Sequence, residues 1–201
     1  MPRYKQSDRE MVLSETRQRL LEAATVEFAR EGYEKANVDL ISRSAGYAKG
    51  TIYNYFESKR ALLLALIDEI AQEHYQYIIG QVRSQVGAEQ RLERFYEAGF
   101  AWVADNAQSG RLMFNTLNGS DISLKQRMFE IYQPMFQLVV QEIIFVGIEQ
   151  GVFRQVEPAS TAGILMTIYL GFGSQVDEHG RPWLPASQVA EFVLRSLCID
   201  K

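Results

Sequence analysis

Cysteine and histidine are nearly missing from this chain of 201 residues, which holds one cysteine, Cys198, and two histidines, His74 and His179. A single thiol rules out an intrachain disulfide and a cysteine-rich metal site, and it suits a reducing compartment. Neither histidine has a second histidine or cysteine at ligand spacing, so no metal or other cofactor is expected. No apolar run approaches the roughly 20 residues needed to span a bilayer. Met1 to Glu15 is polar and charged with no stretch of signal-peptide type, which points to a cytoplasmic protein without a membrane partner. Catalytic signatures are lacking as well. There is no Gly-x-Ser-x-Gly elbow and no Walker-type phosphate loop, and Gly171-Phe172-Gly173 has neither the third glycine nor the preceding strand of a dinucleotide site. Glu69 and Glu73 share a helix face with Tyr77, but a solvated face explains that pattern. The chain is therefore read as a non-enzyme.

Prolines are confined to positions 2, 134, 158, 182 and 185, and 47% of the residues are hydrophobic, ample for a core. Between the prolines almost everything reads as helix, with no alternating strand pattern and no repeat of fixed period. The spacing of apolar residues and caps predicts about nine helices, near 14–31, 38–45, 48–55, 58–85, 89–107, 109–117, 122–150, 158–175 and 186–199. Gly32, Gly46, Gly87, Gly110, Gly119, Gly151 and the Gly180–Pro185 loop punctuate them. Pro134 inside the 122–150 stretch is expected to kink or break that helix. The fold class is all-α: an N-terminal three-helix domain over residues 1–60 and a larger helical domain over 61–201. Charge divides in the same place. Residues 1–60 carry 11 Lys/Arg against 9 Asp/Glu, and residues 61–201 carry 10 against 16, so a mildly basic head sits on an acidic body.

Residues 37–56 hold the most informative pattern. Asn37 suits the N-cap of a short helix carrying Val38, Ile41 and Ala45 on one side; Gly46 permits a tight turn; a second short helix follows with Ile52 facing inward. This is helix-turn-helix spacing. Lys49, Thr51, Tyr53, Asn54 and Tyr55 are left to the outer faces and flanks, where they suit a duplex. Lysine reaches guanine edges or phosphate, asparagine pairs with adenine, and hydroxyls bond phosphate. Tyr53, Tyr55 and Phe56 are equally suited to a small core, Phe56 most of all.

Thr16-Arg17-Gln18-Arg19-Leu20-Leu21-Glu22-Ala23-Ala24, Phe28-Ala29-Arg30-Glu31-Gly32-Tyr33, Ile41, Ala45-Gly46 and Lys49-Gly50-Thr51-Ile52-Tyr53-Asn54-Tyr55-Phe56-Glu57-Ser58-Lys59 together resemble the DNA-binding domain of tetracycline-repressor (TetR) family regulators. The resemblance covers about residues 14–73. It implies a sequence-specific regulator, commonly a repressor, that binds a palindromic operator in double-stranded DNA as a homodimer. Lys49, Gly50, Thr51, Tyr53, Asn54 and Tyr55 would lie on or beside the major groove, with Lys59 and Tyr53 on phosphate and Asn37 near the backbone. Two positions depart from the family pattern: Ala48 stands where serine or threonine is frequent, and Asn54 falls at a variable position, so the operator sequence stays open.

One short recognition helix reads only a few base pairs, so two copies must be set about one helical turn apart. The resemblance implies that the last two helices, near 158–175 and 186–199, pair with their copies in a four-helix bundle. Ile164, Leu165, Ile168, Leu170 and Phe172 on one and Val189, Phe192, Val193 and Leu197 on the other fit that role, and they fit ordinary core helices nearly as well. Residues 89–150 are rich in aromatic and methionine side chains. Phe95, Phe100, Trp102, Met113, Phe114, Phe129, Tyr132 and Phe136 are candidates to line a cavity for a small apolar or aromatic effector, although such stripes more often simply pack. In the family such a ligand shifts the fourth helix and tilts the DNA-binding heads. A rival reading keeps the fold and drops the ligand: an architectural DNA-binding protein with a solid C-terminal core.

Overall fold

The computed structural model describes residues 6–173 and 182–199. His179, Pro2, the start of the Gly180–Pro185 loop and the end expected for the 158–175 helix lie outside these residues. The described chain is helical throughout: α1 Gln6–Lys35, α2 Val38–Ser44, α3 Lys59–Arg83, α4 Ala88–Asp105, α5 Ala107–Asn118, α6 Ile122–Ile131, α7 Gln133–Glu149, α8 Pro158–Gly173 and α9 Ala186–Leu197. Among the described residues there is no β-strand, and Phe153 and Cys198 form an isolated antiparallel bridge. No single helix among them is long and apolar enough to cross a membrane.

Compactness divides the chain into residues 1–69 and 70–201, and α3 begins in the first unit and ends in the second. In the first, α1 buries Leu20, Leu21, Ala24 and Phe28, an i, i+1, i+4, i+8 face that suits a helix and not a strand. α1 starts well before the expected residue 14, and at Gly32 it leaves helical geometry (φ 74°, ψ 169°) before a last turn. The first half of α3 closes this core with Leu62, Leu63, Leu66 and Ile67. Arg17 lies 5.6 Å over the Phe56 ring and pairs with Glu69 at 3.1 Å, tying α1 to α3.

In the second unit, α4 is strongly amphipathic and buries Leu92, Phe95, Tyr96, Gly99, Phe100 and Trp102 along one face. α9 packs along it through Val189, Ala190, Val193 and Leu197. The chain after α9 is tied back to the loop beyond α7 by Arg154 N–H to the Leu197 carbonyl (2.8 Å) and Ile199 N–H to the Val152 carbonyl (3.1 Å). The helix expected over 122–150 is two. It breaks at Tyr132 with a 43° bend between α6 and α7, and Pro134 sits in the first turn of α7, where its missing N–H costs nothing. Within α7, Val139–Ile144 widens into a π-turn whose Val139, Val140, Ile143 and Ile144 are all buried.

α8 buries Ala162, Leu165, Met166 and Tyr169 on one side while Ile164 (61% exposed), the half-buried Ile168 and Phe172 run along another. Phe192 on α9 is 69% exposed. A helix apolar on both faces has more surface to cover than one core supplies.

Candidate DNA-contact surface and effector cavity

The turn between α2 and the following segment is built from backbone. Gly46 and Gly50 both take φ near +85° (86° and 83°), a region that costs an L-residue roughly 1–2 kcal/mol but a glycine little. Buried Ser42 fastens the turn, its carbonyl accepting from Tyr47 N–H (2.9 Å) and its hydroxyl from Ile52 N–H (3.3 Å). Ile41 and Ile52 are fully buried, while Val38 and Ala45 are only half-buried. The expected second helix over 48–55 is reduced to one 3-10 turn, Thr51–Asn54. Ile52 and Phe56 are its core anchors, and four residues between Gly50 and Tyr55 leave no length for an α-helix.

This anchoring decides which side chains face outward. Lys49, Tyr53 (54% exposed) and Asn54 project to solvent, and Thr51 and Tyr55 are half-buried. Lys49 forms an ion pair with Asp39 at 3.0 Å. Asn37 spends its side-chain oxygen on the N–H groups of Asp39 (3.0 Å) and Leu40 (3.2 Å), a true N-cap, and its own N–H donates to Glu27 (3.0 Å). Lys59 donates to the carbonyls of Glu34 (2.9 Å) and Ala36 (3.2 Å) and sits 4.9 Å over the Tyr33 ring. Its ammonium thereby ties the end of α1 to the start of α3, leaving one of its three N–H groups for another acceptor.

The second unit holds a cavity in two parts that share Leu117, Met128, Tyr132 and Leu170. A small inner chamber of about 50 Å³ is bounded by His74, Trp102, Met113, Phe114, Tyr132 and Tyr169. A larger outer groove of about 370 Å³ runs past Phe129, Phe136, Met166 and Thr167. Six of the eight expected lining residues border one part or the other. Phe95 and Phe100 do not: both are sealed in the core, packed against Tyr169 with ring centroids 4.8 and 6.1 Å away. Among the described residues no Asp, Glu, Lys or Arg borders either part.

The polar centre of the chamber is His74, a residue that its sequence neighbours leave unremarkable. Its Nε2 is 2.7 Å from the Tyr169 hydroxyl and its Nδ1 3.2 Å from that of Tyr132, and its ring stacks on Trp102 at 4.3 Å. Burial pushes the imidazole down from 6.5 to about 4, so it is neutral near pH 7. The same desolvation raises Tyr132 and Tyr169, which stay protonated. Gly99 makes room for this arrangement, because a Cβ there would lie 2.1–2.4 Å from the Tyr169 ring and hydroxyl. One signal was available in sequence: Ile70, His74 and Ile78 recur every four residues, which puts the histidine on the apolar stripe of α3. Among the described residues no cluster of three metal-ligating side chains is present.

A glycine-turned pair of short helical segments presenting exposed polar and aromatic side chains, followed by a larger all-helical unit, defines a helix-turn-helix DNA-binding regulator of transcription. Residues 20–66 match the family model for bacterial regulatory proteins of the tetR family, so the chain carries an N-terminal domain of that type. It is 24% identical over 177 residues to the fatty acid metabolism regulator protein of Bacillus subtilis (strain 168), a match spanning 88% of each chain. It is 35% identical over 104 residues to the HTH-type transcriptional activator FasR of Mycolicibacterium smegmatis, covering 50% of this chain and 46% of that one. Its fold matches the structure of the transcriptional regulator FadR from Bacillus subtilis in complex with stearoyl-CoA, with a TM-score of 0.77 over 89% of this chain and 95% of that one at 20% identity.

Proposed function

We propose that this protein is a homodimeric repressor that holds a palindromic operator and is released from it by a small, mainly apolar effector bound in the cavity of the second unit. The observation that carries this reading is the cavity itself, a space between α3, α4, α5, α6 and α8 lined by no charged side chain among the described residues, where an architectural protein would have solid core. The likeness over 88% of the chain to a fatty acid metabolism regulator, and a similarly folded regulator whose structure holds stearoyl-CoA, favour an effector with an extended hydrocarbon part.

Lys49, Gly50, Thr51, Tyr53, Asn54 and Tyr55 are assigned to the major groove and its flanks, and Lys59 and Asn37 to the neighbouring backbone, Asn37 through its amide nitrogen. The uncovered apolar side chains of α8 and α9, Ile164, Phe172 and Phe192, support pairing of two subunits through these helices. The effector acts only through a difference in affinity between DNA-competent and DNA-incompetent states. A tenfold release needs about 1.4 kcal/mol of that difference, and α3, which starts in the DNA-binding unit and carries His74 in the other, is the element to transmit it.

Selection of bound duplexes from a random library at about 150 mM salt tests the proposal, since backbone attraction at low salt mimics recognition. An enriched inverted repeat with half-site centres about one helical turn apart is expected. Absence of any enriched motif would favour an architectural DNA-binding role.

A further inference from the structure

The effector cavity carries an unspent proton, and it defines the ligand's polar group. A neutral imidazole has one N–H and one bare nitrogen. Of the two tyrosine hydroxyls on His74, one must therefore donate to the ring and the other must accept from it. The tyrosine that accepts keeps its own O–H proton. The 2.7 Å contact to Tyr169 has the length of an O–H donor, and the 3.2 Å contact to Tyr132 lies at the long end for an N–H donor. Tyr169 thus donates to Nε2, Nδ1–H donates to Tyr132, and the free proton belongs to Tyr132. Its hydroxyl has no other partner among the described residues.

Tyr132 borders both parts of the cavity. We infer that the effector is an uncharged carbonyl compound whose oxygen accepts a hydrogen bond from the Tyr132 hydroxyl, with its hydrocarbon part lying in the outer groove. This rests on the sensing reading above. Several observations converge on it. The inner chamber, about 50 Å³, has room for a single functional group, whereas the groove, about 370 Å³, has room for a chain. Among the described residues no charged side chain borders the cavity, so a carboxylate, phosphate or ammonium would find no counter-charge among them. An alcohol would bring a proton of its own, for which the described side chains of the chamber offer phenol oxygens, poor acceptors. A carbonyl brings an acceptor and no donor, which is the match to one spare O–H. His74, stacked on Trp102, is a positioning residue: with both ring nitrogens engaged by tyrosine hydroxyls, it acts on the ligand by orienting the Tyr132 proton.

The probes are methyl heptyl, methyl nonyl and methyl undecyl ketone, each paired with the isostere in which a terminal methylene replaces the carbonyl oxygen. Binding to the full-length protein is read by Trp102 emission, with exposed Trp183 replaced by Phe so that Trp102 is the only tryptophan. The ketone of best length should bind roughly five- to tenfold tighter than its isostere. In Tyr132→Phe that preference should fall to within about twofold while isostere affinity is retained, and in Tyr169→Phe it should survive. A preference that persists in Tyr132→Phe, is lost instead in Tyr169→Phe, or is absent from the parent protein overturns the inference. Equal binding of ketone and isostere sinks the carbonyl assignment alone. Failure of all six probes to bind sinks the sensing reading with it.

Discussion

Acidification should destabilise the second unit through one side chain, His74. His74 titrates at about 4 in the folded protein because burial opposes its charge, and near 6.5 in the unfolded chain. As pH falls, the unfolded chain takes up the proton first, so folding stability is intact above about pH 6.5 and drains away toward pH 4. Between about pH 7.5 and pH 5 the loss from this group alone comes to about 2 kcal/mol. His74→Gln is the control, since an amide keeps a donor and an acceptor for the two tyrosines but does not titrate. Carboxylates titrate alike in both proteins and cancel in the comparison. Urea unfolding followed by Trp102 emission, in a Trp183→Phe background, should show the parent losing about 2 kcal/mol more than the variant over that interval. A difference below about 0.3 kcal/mol would mean that His74 is hydrated or charged in the folded state, and the neutral triad with Tyr132 and Tyr169 would have to be abandoned.

Other side chains lead to sharp expectations. Tyr53→Ala and Lys49→Ala should each weaken operator binding at least about tenfold with fold and dimer unchanged, Lys49→Ala more so at low salt because it also leaves Asp39 unneutralised beside the phosphates; unchanged affinity in gel-shift titrations would remove both from the DNA surface. Asn54→Ala should cost roughly 1–3 kcal/mol at one base position only, measured against a panel of operator variants, and a uniform loss would reassign it to phosphate. Gly99→Ala places a methyl group against Tyr169 and should destabilise the protein by about 1–3 kcal/mol in thermal or urea unfolding; a neutral result would mean that α4 and Tyr169 move apart freely. Phe192→Glu puts a charge on the uncovered face of α9 and should give a folded monomer by sedimentation. A persistent dimer would place the interface elsewhere.

Features that depend on neighbours along the chain are legible in the residues alone. The helix-turn-helix is one: an N-cap, an apolar residue a turn later, a glycine where the backbone must go left-handed, and an inward isoleucine all lie within residues 37–52. The all-helical class is another, since apolar spacing and the few prolines act over one or two turns. The break at Tyr132 is half-visible. Pro134 signals an interruption, but whether the helix bends or ends depends on what packs against it.

The tertiary structure decided the rest. The recognition segment shrank to a single 3-10 turn because its length is set by Ser42 and the buried Ile52 and Phe56, whose anchoring belongs to the packed unit. Phe95 and Trp102 sit on one helix with similar side chains, yet one fills the core and the other walls a cavity, a matter of angle around α4 relative to helices far along the chain. His74 gained its significance only when residues 58 and 95 positions away closed on its two nitrogens. Local spacing thus determined the all-helical class, most of the helices and the segment with helix-turn-helix spacing. The cavity, its uncharged lining among the described residues and its spare proton arose from contacts across long stretches of chain, which no local pattern encodes.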